Sequence, residues 1–269
     1  MSHFSVLVIG PDIERQLAPF QENNMSDCPK QYLAFEEDED ADVDEETGKK
    51  GYWENPNAKW DWYSIGGRWA GFFTHKAGAE AEKPVPHYGV AMGLSEAPKD
   101  NTADVLVKGD IDFEKMRADA AHDAALEWDF VADIFNGLPE HKPWSLFLHD
   151  GGEDLDGARK LYHAQPRITA WQEKAKATRD QRREMPVDLV FGNADDFLVS
   201  RADFIQAAKN RVGVTFAVVK DGKWYERGAM GWWGIVCGEK DQETWNSMFS
   251  KLVDELPSDT LLTVVDCHI

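Results

Sequence analysis

"VTFAVVKDGKWYERGAM", residues 214–230, is the stretch that decides the fold. Two β-type runs flank Asp221-Gly222, and both residues of that pair tolerate positive φ, so the segment predicts a tight hairpin. Downstream, "DQETWNSMFSKLVDELP" (241–257) sets Trp245, Met248, Phe249, Leu252, Val253 and Leu256 on one helical face. "TLLTVVDCHI" (260–269) then reads as a final strand, apolar enough to lie inside a sheet. The C-terminal unit is therefore β-β-α-β.

Working outward, "HFSVLVIG" (3–10) is a continuous apolar run with the character of a central strand. In residues 109–137, Phe113, Met116, Ala120, Ala124, Trp128, Val131 and Phe135 recur at helical spacing, and Gly137 and Pro139 end the pattern. "WSLFLHDGG" (144–152) reads as a strand entering a turn. Residues 155–185 are helical at both ends with a break at Pro166, and Ser200 with Asp203 forms a capping pattern. Together these elements predict an α+β fold in a single domain over 1–269, with a mainly antiparallel sheet and helices packed on one face. Residues from about 21 to 51 read as a mobile acidic insertion, and those from about 76 to 104 as a long irregular loop.

The net charge is -20, from 49 acidic and 29 basic residues, and "EEDEDADVDEE" (36–46) carries nine of the carboxylates. Such a field repels phosphate backbones, so nucleic-acid binding through a basic face is excluded as an expectation. It favours steering towards a host protein with a basic surface. No apolar run has the roughly 20 residues that a membrane helix needs, and the first residues lack a basic leader, so a cytoplasmic setting is expected. Cys28, Cys237 and Cys267 form no paired motif, which points away from a disulfide framework or a zinc site. No metal site and no cofactor are expected.

Candidate chemistry concentrates in "NAKWDWYSIGGRWAGFF" (57–73), where three tryptophans, a tyrosine and two phenylalanines surround a double glycine and an arginine. On a strand, Trp60 and Trp62 would face one side and Asp61 and Tyr63 the other. Arg68 and Trp69 follow the turn, and an arginine beside aromatic rings can stack while offering a planar fork to phosphate. The same residues also fit a tryptophan-rich core strand with Arg68 paired to Asp61. A second segment (223–236) repeats the ingredients with Arg227, Trp232 and Trp233. The expected ligand contacts are Trp60, Asp61, Trp62, Arg68, Trp69, Arg227, Trp232 and Trp233. For an enzyme, Asp266 could orient His268 as an acid-base imidazole, and Asp150 could do the same for His149.

The opening "MSHF-VLVIG", the block "NPNAKWDWYSIGGRWAGFF", "KGDIDFEKMR", "AVVKDGKWYERGAMGWWG" and the ending "LPSDTLLTVVDCHI" together resemble a family of uncharacterised proteins of tailed bacteriophages and prophage regions. The resemblance implies a viral or prophage origin and action inside the host cell during infection. It supplies no catalytic residues. The first expectation is an accessory protein that acts by binding, counteracting host defence by engaging a host protein or a nucleotide-like signal. The second is a small hydrolase or transferase on a nucleotide-type substrate, with Arg68 neutralising phosphate. The third is a virion or assembly component.

Overall fold

A computed structural model describes residues 2–92, 97–149, 154–231 and 236–269. The chain divides into two compact units, residues 1–113 with 213–269, and residues 114–212, a division that the sequence patterns do not announce.

The first unit holds β1 (His3–Ile9), α1 (Ile13–Leu17), β2 (Ala34–Glu37), β3 (Gly51–Glu54), β4 (Trp62–Ile65), β5 (Phe73–Thr74), α2 (Tyr88–Ala91), β6 (Thr102–Ala103) and β7 (Val105–Val107). The second unit is helical: α3 (Phe113–Phe135, whose first residue belongs to the first unit), α4 (Trp144–His149), α5 (Leu155–His163), α6 (Pro166–Ala177) and α7 (Arg201–Asn210). The chain then re-enters the first unit as β8 (Ala217–Lys220), β9 (Lys223–Glu226), β10 (Ala229–Met230), β11 (Val236–Cys237), α8 (Gln242–Asp254) and β12 (Leu261–His268). The fold is α+β.

The main sheet runs β4-β12-β1-β8-β9, with β7 also paired to β12. All its pairings are antiparallel except β1 with β8. The hairpin forms at Asp221 and Gly222, at φ 53° and 71°, the left-handed values that a two-residue turn of this hand demands. α8 is capped by the Asp241 side chain and buries Trp245, Phe249 and Val253, while Met248 is exposed. The Trp245 indole N–H donates to the Thr215 carbonyl just ahead of β8. Because β12 is buried along almost its whole length, it lies inside the sheet, and Cys267 is sealed with its thiol pushed well up by burial.

One face of the sheet carries the apolar core: Phe4, Val6, Val8, Ala217, Val219, Val265 and Cys267 pack with Leu17, Phe20 and Trp60. The other face changes character along β1 and β12. Leu7 lies opposite Val264, Ser5 opposite Asp266, and His3 opposite His268. The apolar sheet thus ends in a polar row.

Two local readings differ. Residues 144–149 form α4 rather than a strand, because Trp144 and Phe147, three apart, both set their rings against Tyr162, a spacing that only a helix satisfies. The acidic run 36–46 belongs to the β2–β3 hairpin, where the Asp44 carboxylate accepts from the Thr47 N–H and the Trp53 indole, and where Lys30 pairs with Glu46. Pro166 opens α6 at its first turn, where its missing N–H costs nothing. Among the described residues, no helix is long and apolar enough to cross a membrane.

Candidate functional site

The polar row is built by register. His268 on β12 lies opposite His3 on β1 and opposite Trp62 on β4, so three rings from three neighbouring strands stand side by side. Trp62 stacks on His268 at 5.1 Å and 18°. His3 meets His268 edge-on at 4.9 Å and Trp62 at 5.2 Å.

Each imidazole is held by its own carboxylate. His268 Nδ1 lies 2.7 Å from Asp61 Oδ1, and His3 Nδ1 lies 2.8 Å from Asp266 Oδ1. The carboxylates are themselves fixed by backbone donors: the Trp62 N–H donates to Asp61 and the Arg68 N–H to Asp266, at 2.7 Å and 3.0 Å. A carboxylate that accepts at Nδ1 sets the proton there and leaves Nε2 as the working nitrogen. Among the described residues, neither Nε2 atom has a hydrogen-bond partner, and the His268 ring itself is buried.

The double glycine explains itself at this point. A Cβ on Gly67 would sit 2.3 Å from the Cβ of Asp266, and one on Gly66 would sit 2.2 Å from Asp104 Oδ2. Both glycines also have positive φ. Asp104 is buried, burial pushes its carboxyl up, and its Oδ1 accepts from the Gly71 and Phe72 N–H groups. Two inward carboxylates therefore grip the loop 66–72 by its amides, and Arg68 rides on it. The Arg68 side chain is exposed and has no partner among the described residues.

The expected residues fall out as follows. Asp61, Trp62, Asp266 and His268 come together, and Arg68 and Trp69 sit on the adjoining loop. Asp266 and His268 share a face, but Asp266 holds His3 while Asp61 holds His268, so the orienting pairs are crossed. The strict alternation from Trp60 to Tyr63 fails because β4 begins only at Trp62 and the Asp61 N–H is tied to the His268 carbonyl. Trp60 therefore joins Tyr63 in the core, 5% exposed, with its indole N–H on the Leu17 carbonyl; this corrects its expected place at the ligand. Asp61 pairs with His268 and not with Arg68.

Arg227 is committed elsewhere, to Glu239, to Gln242 and over the Phe216 ring, which makes it a packing residue. Trp232, Trp233, Asp150 and the side chain of His149 lie outside the described residues. His3 is the residue that the sequence patterns missed. Its only signal is a histidine at the first position of an apolar strand, and its meaning depends on a pairing 265 residues away.

Among the described residues, no cluster of three or more His, Cys, Asp or Glu side chains could hold a metal ion. The arrangement offers two oriented imidazoles, a half-exposed indole and a free guanidinium. No protein-family model matches the chain, and no curated protein or solved structure matches it either.

Proposed function

We propose that the row at the end of the sheet is an acid-base site acting on the phosphoester of a nucleotide-type molecule. The observation that carries this reading is the pair of crossed dyads, His268–Asp61 and His3–Asp266, whose rings touch. Phosphoester hydrolysis needs one group to take a proton from water as its oxygen bonds to phosphorus. It needs another to give a proton to the leaving oxygen as the old P–O bond breaks. Two imidazoles side by side would supply both roles if one ring enters neutral and takes the water proton at Nε2 while the other enters as imidazolium and gives its Nε2 proton to the leaving oxygen. The proton gained by one ring then balances the proton lost by the other. Trp62, 45% exposed, offers a stacking face for a base, and Arg68 offers charge to the phosphate.

A second reading uses the same surface for capture without turnover. It is favoured by the exposure of both Trp62 and Arg68, which are the contacts that binding alone would need. In either reading, removal of a nucleotide signal inside an infected host cell is the role that agrees with the phage-like blocks of the sequence.

The test is a panel of linear and cyclic nucleotides and an aryl phosphodiester, followed by product chromatography. Acid-base chemistry predicts turnover by the wild type and its loss in His268→Asn and His3→Asn, with Arg68→Ala acting mainly on KM. Nucleotide binding that survives His268→Asn, with no turnover in the wild type, selects capture. Absence of both turnover and binding overturns the two readings together.

A further inference from the structure

We infer that the helical unit carries a ligand site of its own, a cleft that takes a small anion with an apolar body. The cleft has a volume of about 410 Å³ and lies between α6 and the returning segment 189–194. That volume is within the range of small-molecule sites, roughly 300 to 1,000 Å³. Its walls are apolar: Ile168, Trp171 and Ala175 from α6 face Leu189, Val190 and Ala194. Trp171 is held by its indole N–H to the Leu189 carbonyl, which ties the two walls together.

The head group follows from elimination among the polar side chains that line this space. Tyr162 gives its hydroxyl to Asp195, and burial with that neighbouring charge pushes the phenol up, so it stays a neutral ring. Gln172 contacts His163. Asn193 accepts from the Asp195 N–H and donates to Asp196. What is left is Lys176 and Arg179, both at the rim, both exposed, and neither with a partner among the described residues. Two unengaged cations are notable in a chain with 49 acidic residues against 29 basic ones. An apolar wall with two cations at its lip, beside the neutral amides of Gln172 and Asn193, selects a carboxylate, sulfonate or phosphate on an aromatic or aliphatic body.

The experiment compares two fluorescent probes of similar shape, the anionic anilinonaphthalene sulfonate and the uncharged phenylnaphthylamine, on the full chain. The wild type is expected to bind the anion more tightly. The double variant Lys176→Glu/Arg179→Glu should weaken the anion by about tenfold or more while changing the uncharged probe by less than about twofold. Ala175→Trp, which fills the cleft, should weaken both. Circular dichroism and thermal unfolding verify that each variant is folded. If Ala175→Trp does not fold, the charge-reversed pair, altered only at exposed positions, still decides. Equal affinity of the anion for the wild type and the charge-reversed protein overturns the proposal. So does equal loss of both probes in a folded variant, or no binding of the anion by the wild type.

Discussion

At the end of the sheet, the buried His268 turns Nδ1 to Asp61 and, among the described residues, leaves Nε2 without a partner beside a half-exposed Trp62. In the helical unit, His141 turns Nε2 to Asp195, and its buried Nδ1 has no partner among the described residues. The functional groups are the same and the outcomes differ. Asp195 also accepts from the Tyr162 hydroxyl and the Trp144 N–H, so it works as a half-buried knot joining α4, α5 and the segment before α7. Burial outweighs the attraction of Asp195 and pulls the His141 ring down towards its neutral form. Both rings are buried, at 5% and 3% exposure, so the two pairs differ in which ring nitrogen the carboxylate takes and in the half-exposed indole that lies beside His268.

The largest expected effect breaks that comparison outright if it fails. His268→Asn and His3→Asn should each lower turnover by about 100-fold or more, the usual share of one general acid or base. Their melting temperatures should stay close to that of the wild type. His141→Asn should do the opposite, sparing turnover and lowering stability. Steady-state rates and thermal melts on the three variants decide, and loss of turnover in folded His141→Asn would undo the distinction.

Next in size, Asp195→Ala strips the acceptor from His141, Tyr162 and the Trp144 N–H together. With three donors left short of a partner, the cost should be about 3 kcal/mol in denaturant unfolding. Asp61→Ala, at the rim of the sheet, should cost less stability and more activity.

How much of this was legible depends on the range of the interactions. The Asp221-Gly222 hairpin, the Ser200 cap of α7 and the apolar face of α8 are local, written within a few neighbouring residues, and the chain follows them. The six residues of α4 fit a strand or a helix equally by sequence, until Tyr162 supplies the surface they pack on. The site was half legible. Asp266 and His268 alternate as strand residues must, and Arg68 follows a double glycine that signals a tight turn. That Asp266 serves His3 and Asp61 serves His268 is a property of sheet register between chain ends, which no local pattern contains.

A third test sharpens the role of the glycines. Gly67→Ala must displace either the loop or Asp266, since the added Cβ would meet Asp266 Cβ at 2.3 Å with φ at +54°. The expected loss is about 2 kcal/mol, from backbone strain and overlap. It should be accompanied by lost turnover, because the same carboxylate orients His3. Gly222→Ala, also at positive φ but with open space around its Cβ, is the control: it should show strain alone, with activity intact.

The smallest effect concerns acid, and its sign follows from burial. The His141 ring titrates in the folded protein below its ordinary value of 6.5. As the pH falls past that value, the unfolded chain takes up a proton that the buried ring refuses, so stability present above 6.5 is lost on acidification. Asp196 and Glu127 in the same unit oppose this at lower pH. Burial raises both carboxyls, so the folded state binds their protons first, and acid favours folding there. The two contributions are separated by difference. Unfolding midpoints of the wild type and His141→Gln, followed from neutral pH downwards, should diverge first around pH 6.5, with the variant losing less. Parallel curves through that window would mean that His141 is not held neutral by its burial.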